Sequence, residues 1–104
     1  MATQTAVITA VERGLNSLAL MLDDLPAVVE EWNELSAAER ASWSLDWDQE
    51  MGALQTLLAR SFDEGRMARA EAARYRALWG KISVALPAIQ RLGLSCPPMA
   101  LAPG

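Results

Sequence analysis

The sequence predicts an all-α protein, a small helical bundle of three long helices joined by one or two short helices. Apolar residues recur every three or four positions along most of the 104-residue chain, which is the spacing of one helix face. Ala and Leu are abundant, whereas Val, Ile and Thr are sparse, and this balance favours helix over sheet. No stretch alternates apolar and polar residues as a half-buried strand does. We expect a single helical domain over residues 1–94.

The first long helix is predicted near residues 5–24, with Thr5 as its N-cap. An apolar seam marks it, formed by Ile8, Val11, Leu15, Leu18, Leu22 and Leu25. Gly14 interrupts the helix, and we favour a local weakness of about 1 kcal/mol relative to Ala over close contact with another helix. Pro26 is expected either to begin a short helix or to kink a longer one. A kinked linker of short helices would then connect the first two long helices.

The second and third long helices are predicted to form an antiparallel hairpin over residues 44–92. They cover residues 44–64 and 66–92, and each has one apolar face that needs a partner. The faces are Trp43, Trp47, Met51, Leu54, Leu58 and Phe62 on one helix, and Tyr75, Leu78, Trp79, Ile82, Leu86 and Ile89 on the other. Gly65 is predicted as the turn, because glycine readily takes the left-handed conformation that ends a helix. The alternative is one long helix from 45 to 86.

Capping signals and prolines define the remaining boundaries. Ser36 and Glu39 fit a capping box, which opens a helical turn or two. A second cap is predicted at Ser44, and the sequence leaves open whether one helix or two follow Ser36. Pro87 is expected to kink the third helix or to begin a final short one. Residues 95–104 contain three prolines and no periodicity, so we expect an extended or disordered tail.

The charge is divided unevenly along the chain. Residues 1–50 hold ten acidic and two basic side chains, net −8, whereas residues 51–104 hold three acidic and seven basic ones, net +4. The total is −4, and we expect no nucleic-acid binding, because phosphate contacts need a surplus of Lys and Arg. No apolar run is long enough to cross a bilayer, and the single cysteine, Cys96, cannot form an intrachain disulfide. We expect a cytoplasmic protein with no membrane contact.

The common catalytic residue patterns are missing from the sequence. The chain has no His, which removes the commonest general base and metal ligand. Its glycines form no phosphate-binding loop, and Cys96 stands alone. Asp46, Asp48 and Glu50 are clustered, but we interpret them as a solvated face at a helix start, where carboxylates are favoured. We predict no enzyme activity, no cofactor and no metal site.

Four tryptophans and the charge asymmetry underlie the functional prediction. Trp32, Trp43 and Trp47 are predicted as partner-binding anchors, because Trp is favoured at interface hot spots, although core packing also explains them. Arg69 and Arg76, two helical turns apart, are predicted at the rim of that surface. We expect a non-enzymatic protein–protein interaction or regulatory module, either a homodimer or the partner of another helical protein. The alternative is a bundle that binds a small hydrophobic ligand between Trp and Met side chains.

Overall fold

The protein is an all-α bundle of three long helices, and the predicted fold class is confirmed. The computed structural model describes residues 9–103 and contains no strand in that range. Helix α1 is Ala10–Glu31, a 3₁₀ turn follows at Trp32–Glu34, helix α2 is the continuous run 37–63, helix α3 is Arg69–Arg91, and a second 3₁₀ turn lies at Met99–Leu101. Among the described residues, none of the helices combines the length and the apolar character needed to cross a lipid bilayer.

Helix α1 continues through Pro26, so a longer helix, one of the two outcomes expected at this proline, is observed, and the predicted end near residue 24 is wrong. The helix begins after Thr9, whose hydroxyl accepts a hydrogen bond from the Glu12 backbone N–H at 3.1 Å. The predicted cap, Thr5, lies outside the described residues. Proline removes one helical hydrogen bond, but Leu25 beside it is buried in the core, and that burial favours the continuous helix. The predicted linker of short helices is reduced to a single 3₁₀ turn.

Helix α2 begins at the predicted capping box. The Glu39 carboxylate accepts from the Ser36 backbone N–H at 2.8 Å, and the Ser36 hydroxyl accepts from the Glu39 backbone N–H at 3.1 Å. The Ser36 backbone N–H, and to a lesser extent the Ser36 hydroxyl, hold the pKa of the Glu39 carboxyl below its usual value. One helix runs on from this point, so the predicted start at Ser44 is wrong. The box already satisfies the first free N–H groups, and no breaker separates it from Ser44.

A single π-helical turn interrupts the α-helical hydrogen bonding of α2. The α-helix Ala37–Ala53 passes into a π-helical turn, Leu54–Leu58, before a last α-helical turn, Ala59–Asp63. Leu54 and Leu58 at the two ends of the π-helical turn are both buried. The wider turn therefore lies at the centre of the packed bundle.

Gly65 ends α2 and turns the chain, as predicted. Its φ of +70° is in the left-handed region, which glycine adopts without a Cβ penalty. The Arg66 N–H donates to the Ser61 carbonyl at 2.9 Å, and the Gly65 N–H donates to the Phe62 carbonyl at 3.1 Å. These are the two hydrogen bonds of a Schellman motif. The alternative of one long helix through this glycine is excluded.

Helix α3 has a weaker start than α2 and also continues through a proline. Ala68 is its N-cap and has no side-chain acceptor; only the reciprocal contact is present, from the Ala68 N–H to the Glu71 carboxylate at 2.8 Å. Pro87 lies inside the helix, which ends as a single element with Gly93 at a φ of +71°. A separate short helix after Pro87, one of the two predicted outcomes, is therefore not observed.

Helix α1 lies beside both other helices, antiparallel to α2 and parallel to α3. Its polar contacts are Ser17 with Glu50 of α2, and Asn16 with Arg74 and Asp23 with Lys81 of α3. The α2–α3 hairpin is present, but close backbone approaches between its two arms are sparse. Its arms meet instead through large side chains, such as the Phe62 and Tyr75 rings, whose centroids are 4.9 Å apart. The bundle is therefore organised on α1 as much as on the hairpin.

The core draws on all three helices. Its buried members are Leu15, Leu18, Leu22, Leu25, Trp47, Met51, Leu54, Leu58, Ala59, Tyr75, Leu78, Trp79, Ile82, Ile89 and Leu94. Gly14 of α1 faces this core, because a Cβ built there would lie 3.1 Å from Cδ2 of Leu58. The glycine thus permits a close approach of α1 to α2. The preference for a local weakness over close contact with another helix is therefore wrong, because Gly14 lies in close contact with a side chain 44 residues away along the chain.

Residues 94–103 run back along the bundle between α2 and α3. Pro97 is buried. The Ser95 carbonyl accepts from the Trp47 indole N–H at 2.8 Å, and the Ser95 hydroxyl donates to Asp48. The 3₁₀ turn beyond them also packs against the core. The segment that we expected to be an extended or disordered tail therefore covers part of the core.

Candidate interaction surface

Trp47, one of the three predicted anchors, lies in the core. It is 0% exposed, and its indole N–H is satisfied by the Ser95 carbonyl at 2.8 Å. Its ring stacks on Trp43, with 5.9 Å between the ring centroids. A buried and hydrogen-bonded indole offers no surface to a partner. Trp47 therefore stabilises this fold and is not accessible as an anchor.

The other two predicted anchors are half-buried and belong to different parts of the bundle. Trp43 lies between α1 and α2, with one face covered by Trp47. Trp32 begins the 3₁₀ turn after α1. The Arg40 side chain donates to the Trp32 carbonyl at 2.8 Å, and its guanidinium lies 5.8 Å from the Trp32 ring centroid. Trp32 and Arg40 thus stabilise the connection between α1 and α2.

The predicted rim arginines lie on α3, on another side of the bundle from Trp43. Arg69 is the first residue of α3 and is exposed. Arg76 is also exposed, and its guanidinium lies 4.9 Å from the Phe62 ring centroid, beside the C-terminal segment. The structure therefore does not bring the predicted anchors and the predicted rim together as one surface.

An apolar groove with a volume of about 720 Å³ lies between α1 and α3. We call it the α1/α3 groove. It is lined by Leu22, Leu25, Pro26, Val29 and Glu30 of α1 and by Ala77, Gly80, Lys81, Val84, Ala85 and Ala88 of α3. Val84 is 84% exposed although it is part of this largely apolar lining. Burying a Val side chain fully contributes about 1.5–3 kcal/mol, so this position favours a covering partner.

Sequence reasoning missed this groove because it followed only one apolar face of α3. The face identified from the sequence, which includes Tyr75 and Ile82, is buried in the core. A second stripe of small and apolar residues occurs on the opposite side of the same helix, at Ala77, Val84 and Ala88. Their spacing of seven and four residues is also helical. This second periodicity is the signal that could have located the groove.

The two helices that border the α1/α3 groove carry opposite net charges. Helix α1 contains five acidic residues and one basic residue, net −4, whereas α3 contains five basic residues and one acidic residue, net +4. Lys81 reaches across to Asp23 at 3.3 Å, and Arg74 donates to Asn16 at 2.6 Å. These side chains are exposed, so each pair contributes only about 0–1 kcal/mol. Of the charged side chains, Glu30 of α1 and Lys81 of α3 line the groove itself, whereas Asp24 and Arg76 lie on other sides of their helices.

A smaller depression between α1 and α2, of about 340 Å³, brings Trp43 and Met21 together. A Trp and a Met thus line one depression here, as the alternative ligand prediction requires. Asp24, Asp46 and Glu50 also line it. Carboxylates at an open rim favour solvent, so this depression suits a hydrophobic ligand less well than the α1/α3 groove does.

Two buried polar atoms of the described core have no hydrogen-bond partner, the Tyr75 hydroxyl and the Trp79 indole nitrogen. The rings meet edge to face, with 6.4 Å between centroids. Burial raises the pKa of Tyr75, and the Trp79 indole N–H, close to the hydroxyl but outside hydrogen-bond geometry, offsets this in part. Neither residue lines the α1/α3 groove, so both belong to the core.

Metal-ligand groups and comparisons with known proteins give no further indication of function. Within residues 9–103, no group of three or more His, Cys, Asp or Glu side chains is placed to hold a metal ion. No protein-family model, no curated protein and no solved structure matches the chain. The apolar α1/α3 groove, with an acidic helix on one side and a basic helix on the other, is the feature from which a function can be inferred.

Proposed function

We propose that this chain is a non-enzymatic helical interaction module that associates with itself through the α1/α3 groove. The observation that supports this most directly is the exposure of Val84 at 84% beside a contiguous apolar lining. A single exposed apolar residue is ordinary on a protein surface. A contiguous apolar patch bordered by charged residues is typical of a protein contact site.

A second copy of the chain suits this surface better than a uniformly charged partner does. The acidic α1 and the basic α3 lie side by side, so a partner of one charge would be attracted to one helix and repelled by the other. A second copy presents the same two charges and can pair with the first under two-fold symmetry. The proposed contact therefore centres on Val84, and the tryptophans predicted as anchors serve the core and its edges.

The cysteine content and the net charge bear on the cellular compartment and on the class of partner. We propose a cytoplasmic location, because the only cysteine, Cys96, is a free and exposed thiol, as is usual in reducing compartments. A nucleic-acid partner is disfavoured by the net charge of −4. We propose no enzymatic reaction, because the chain has no His, the commonest general base and a common metal ligand.

A small hydrophobic ligand is the second candidate occupant of the groove. The volume of about 720 Å³ lies within the range of roughly 300–1,000 Å³ that small-molecule sites occupy. The lining is aliphatic, without the Trp and Met side chains of the sequence-based prediction. Under this alternative the protein is a monomer, and a hydrophobic dye binds it saturably in the groove.

Mass in solution, measured by light scattering over a range of protein concentrations, tests the proposal. We expect the wild-type chain at twice the mass of one copy and Val84→Glu at the mass of one copy, because the substitution places a charge in the contact. Leu45→Glu is the matched control, since Leu45 is an equally apolar residue of α2 with 58% exposure, outside the groove. A monomeric wild type, or the same mass for both variants, would contradict self-association through this groove. Monomers that bind the dye through Val84 would support the ligand alternative.

A further inference from the structure

We propose that the dimer is parallel, with α1 of each copy lying over α3 of the other. This inference rests on the proposed self-association through the α1/α3 groove and specifies its geometry. The two grooves face each other, and the two-fold axis runs along the helices. The dimer then has a central core of four helices, α1 and α3 from each copy, and the two α2 helices lie on the outside.

Two contacts within one copy show which residues of α1 and α3 lie at the same height. Arg74 donates to Asn16 and Lys81 donates to Asp23, and both pairs are 58 residues apart. The helices therefore run in the same direction, and position n of α1 lies level with position n + 58 of α3 to within about one turn, 5.4 Å. By this rule Pro26 lies level with Val84.

Charge distinguishes the two ways in which the grooves can face each other. With the two-fold axis along the helices, the groove side of α1, which carries Glu30, lies over the groove side of the second copy's α3, which carries Lys81, and this contact occurs twice. With the axis across the helices, α1 lies over α1 and α3 over α3, so like charges meet in both contacts. Like charges brought together at an interface are unfavourable, whereas opposite charges set the orientation of docking.

The helix ends provide specific pairs for the parallel arrangement. Glu12 near the start of α1 lies level with position 70, next to Arg69. Glu30 near the end of α1 lies level with position 88, less than one turn from Arg91. All four side chains are exposed in the single copy. In the parallel dimer each acidic end therefore meets a basic end of the second copy, and Arg69 acts at the rim.

The centre and the area of the contact also fit a stable dimer. Val84 of one copy lies against the second copy's Pro26, and Ala77, Gly80 and Ala88 leave room for a close approach. Helix α1 has 22 residues. At 1.5 Å per residue it is about 33 Å long, and contact along this whole length by a pair of helices about 20 Å wide covers roughly 1,300 Å² summed over both copies. This is within the usual range of about 1,200–2,000 Å² for a specific contact.

Cross-linking of mixed single-cysteine chains tests the arrangement. On a Cys96→Ser background, one chain carries Pro26→Cys and the other carries Val84→Cys, and light scattering first establishes that each remains a dimer. After the two chains have exchanged subunits, a short bifunctional thiol reagent is added. We expect a cross-linked pair in the mixture and little in either chain alone. In the control, Ala73→Cys replaces Val84→Cys; it lies level with position 15, about 16 Å along the axis from Pro26, and should not cross-link.

Each other outcome identifies which proposal fails. Efficient cross-linking between two Pro26→Cys chains, or between two Val84→Cys chains, would overturn the parallel arrangement and leave self-association intact. A dimer that links Ala73→Cys as readily as Val84→Cys, or links neither, would also overturn the arrangement. A wild-type chain that remains a single copy in light scattering would overturn the proposed function, and the parallel dimer with it.

Discussion

Replacing Trp47 by Ala should lower the free energy of unfolding by about 3–5 kcal/mol, the range for removing a buried large aromatic side chain. The upper half of the range is expected here, because Trp47 is 0% exposed and its ring stacks on Trp43 at 5.9 Å. The hydrogen bond from its indole to the Ser95 carbonyl is also lost. Ser95 is exposed, so water can replace the indole there, and this loss adds about 1 kcal/mol at most.

Trp43→Ala is the matched variant, because it removes the same side chain from the other half of the stacked pair. Trp43 is half-buried, and we expect a cost of about 2 kcal/mol, roughly half that of Trp47. Domains of this size are stable by about 5–15 kcal/mol in total. The Trp47 variant should therefore unfold at a much lower urea concentration than the Trp43 variant.

Urea unfolding followed by far-ultraviolet circular dichroism measures both variants without depending on the fluorescence of the deleted residue. The protein concentration must be held constant, since self-association adds to apparent stability. Equal urea midpoints for the two variants would refute the burial argument. A Trp47→Ala chain with the wild-type midpoint but half the wild-type mass would show that Trp47 is a contact residue after all.

Three further predictions concern single side chains. Because burial raises the pKa of Tyr75 above its ordinary value of 10.0, the unfolded chain loses this proton first, and stability should fall as pH rises from 10.0 toward the folded pKa. Tyr75→Phe should remove that alkaline loss, and tyrosinate absorbance reports Tyr75 alone because it is the only tyrosine; an unchanged alkaline profile would contradict it. Ser36→Ala should cost about 1 kcal/mol in thermal or urea unfolding. It should remove only the smaller part of the stability that Glu39 supplies above the ordinary pKa of 4.5 and loses as pH falls through its lower folded pKa, because the variant keeps the backbone N–H at position 36, which is the larger cause of the lowered pKa. Ala68→Ser should complete the capping box with Glu71 and raise stability by about 0.5–1 kcal/mol; a lower urea midpoint would count against the assigned start of α3.

Patterns and contacts within a few residues were sufficient to predict the fold class and some of the helix boundaries. The capping box of Ser36 and Glu39 and the turn at Gly65 both depend on contacts over three to five residues. Such signals can be read directly from the sequence. Pro26 was misjudged because its local cost is outweighed by the burial of Leu25 against other helices. Gly14 was misjudged because Leu58, the side chain it accommodates, comes from another helix.

The candidate contact surface depended even more on distant parts of the chain. The apolar spacing correctly indicated that Trp47 lies on an apolar face, but the face itself does not say whether it meets the chain's own core or a partner. The position of Ser95, 48 residues away, makes Trp47 a core residue. Val84 was overlooked because no local feature marks it, and its exposure of 84% follows only from where α1 and α3 lie.

The sequence by itself thus determined that the chain is helical, where two of its turns and caps lie, and that its charge is divided between acidic and basic segments. Only the tertiary structure determined which apolar face is buried, that α1 lies beside α3 so that opposite charges border one groove, and that the C-terminal segment covers the core. Caps and turns are set by short-range hydrogen bonds and backbone sterics. The choice among competing apolar faces is set by close packing between segments far apart in sequence, which spacing along one segment does not encode.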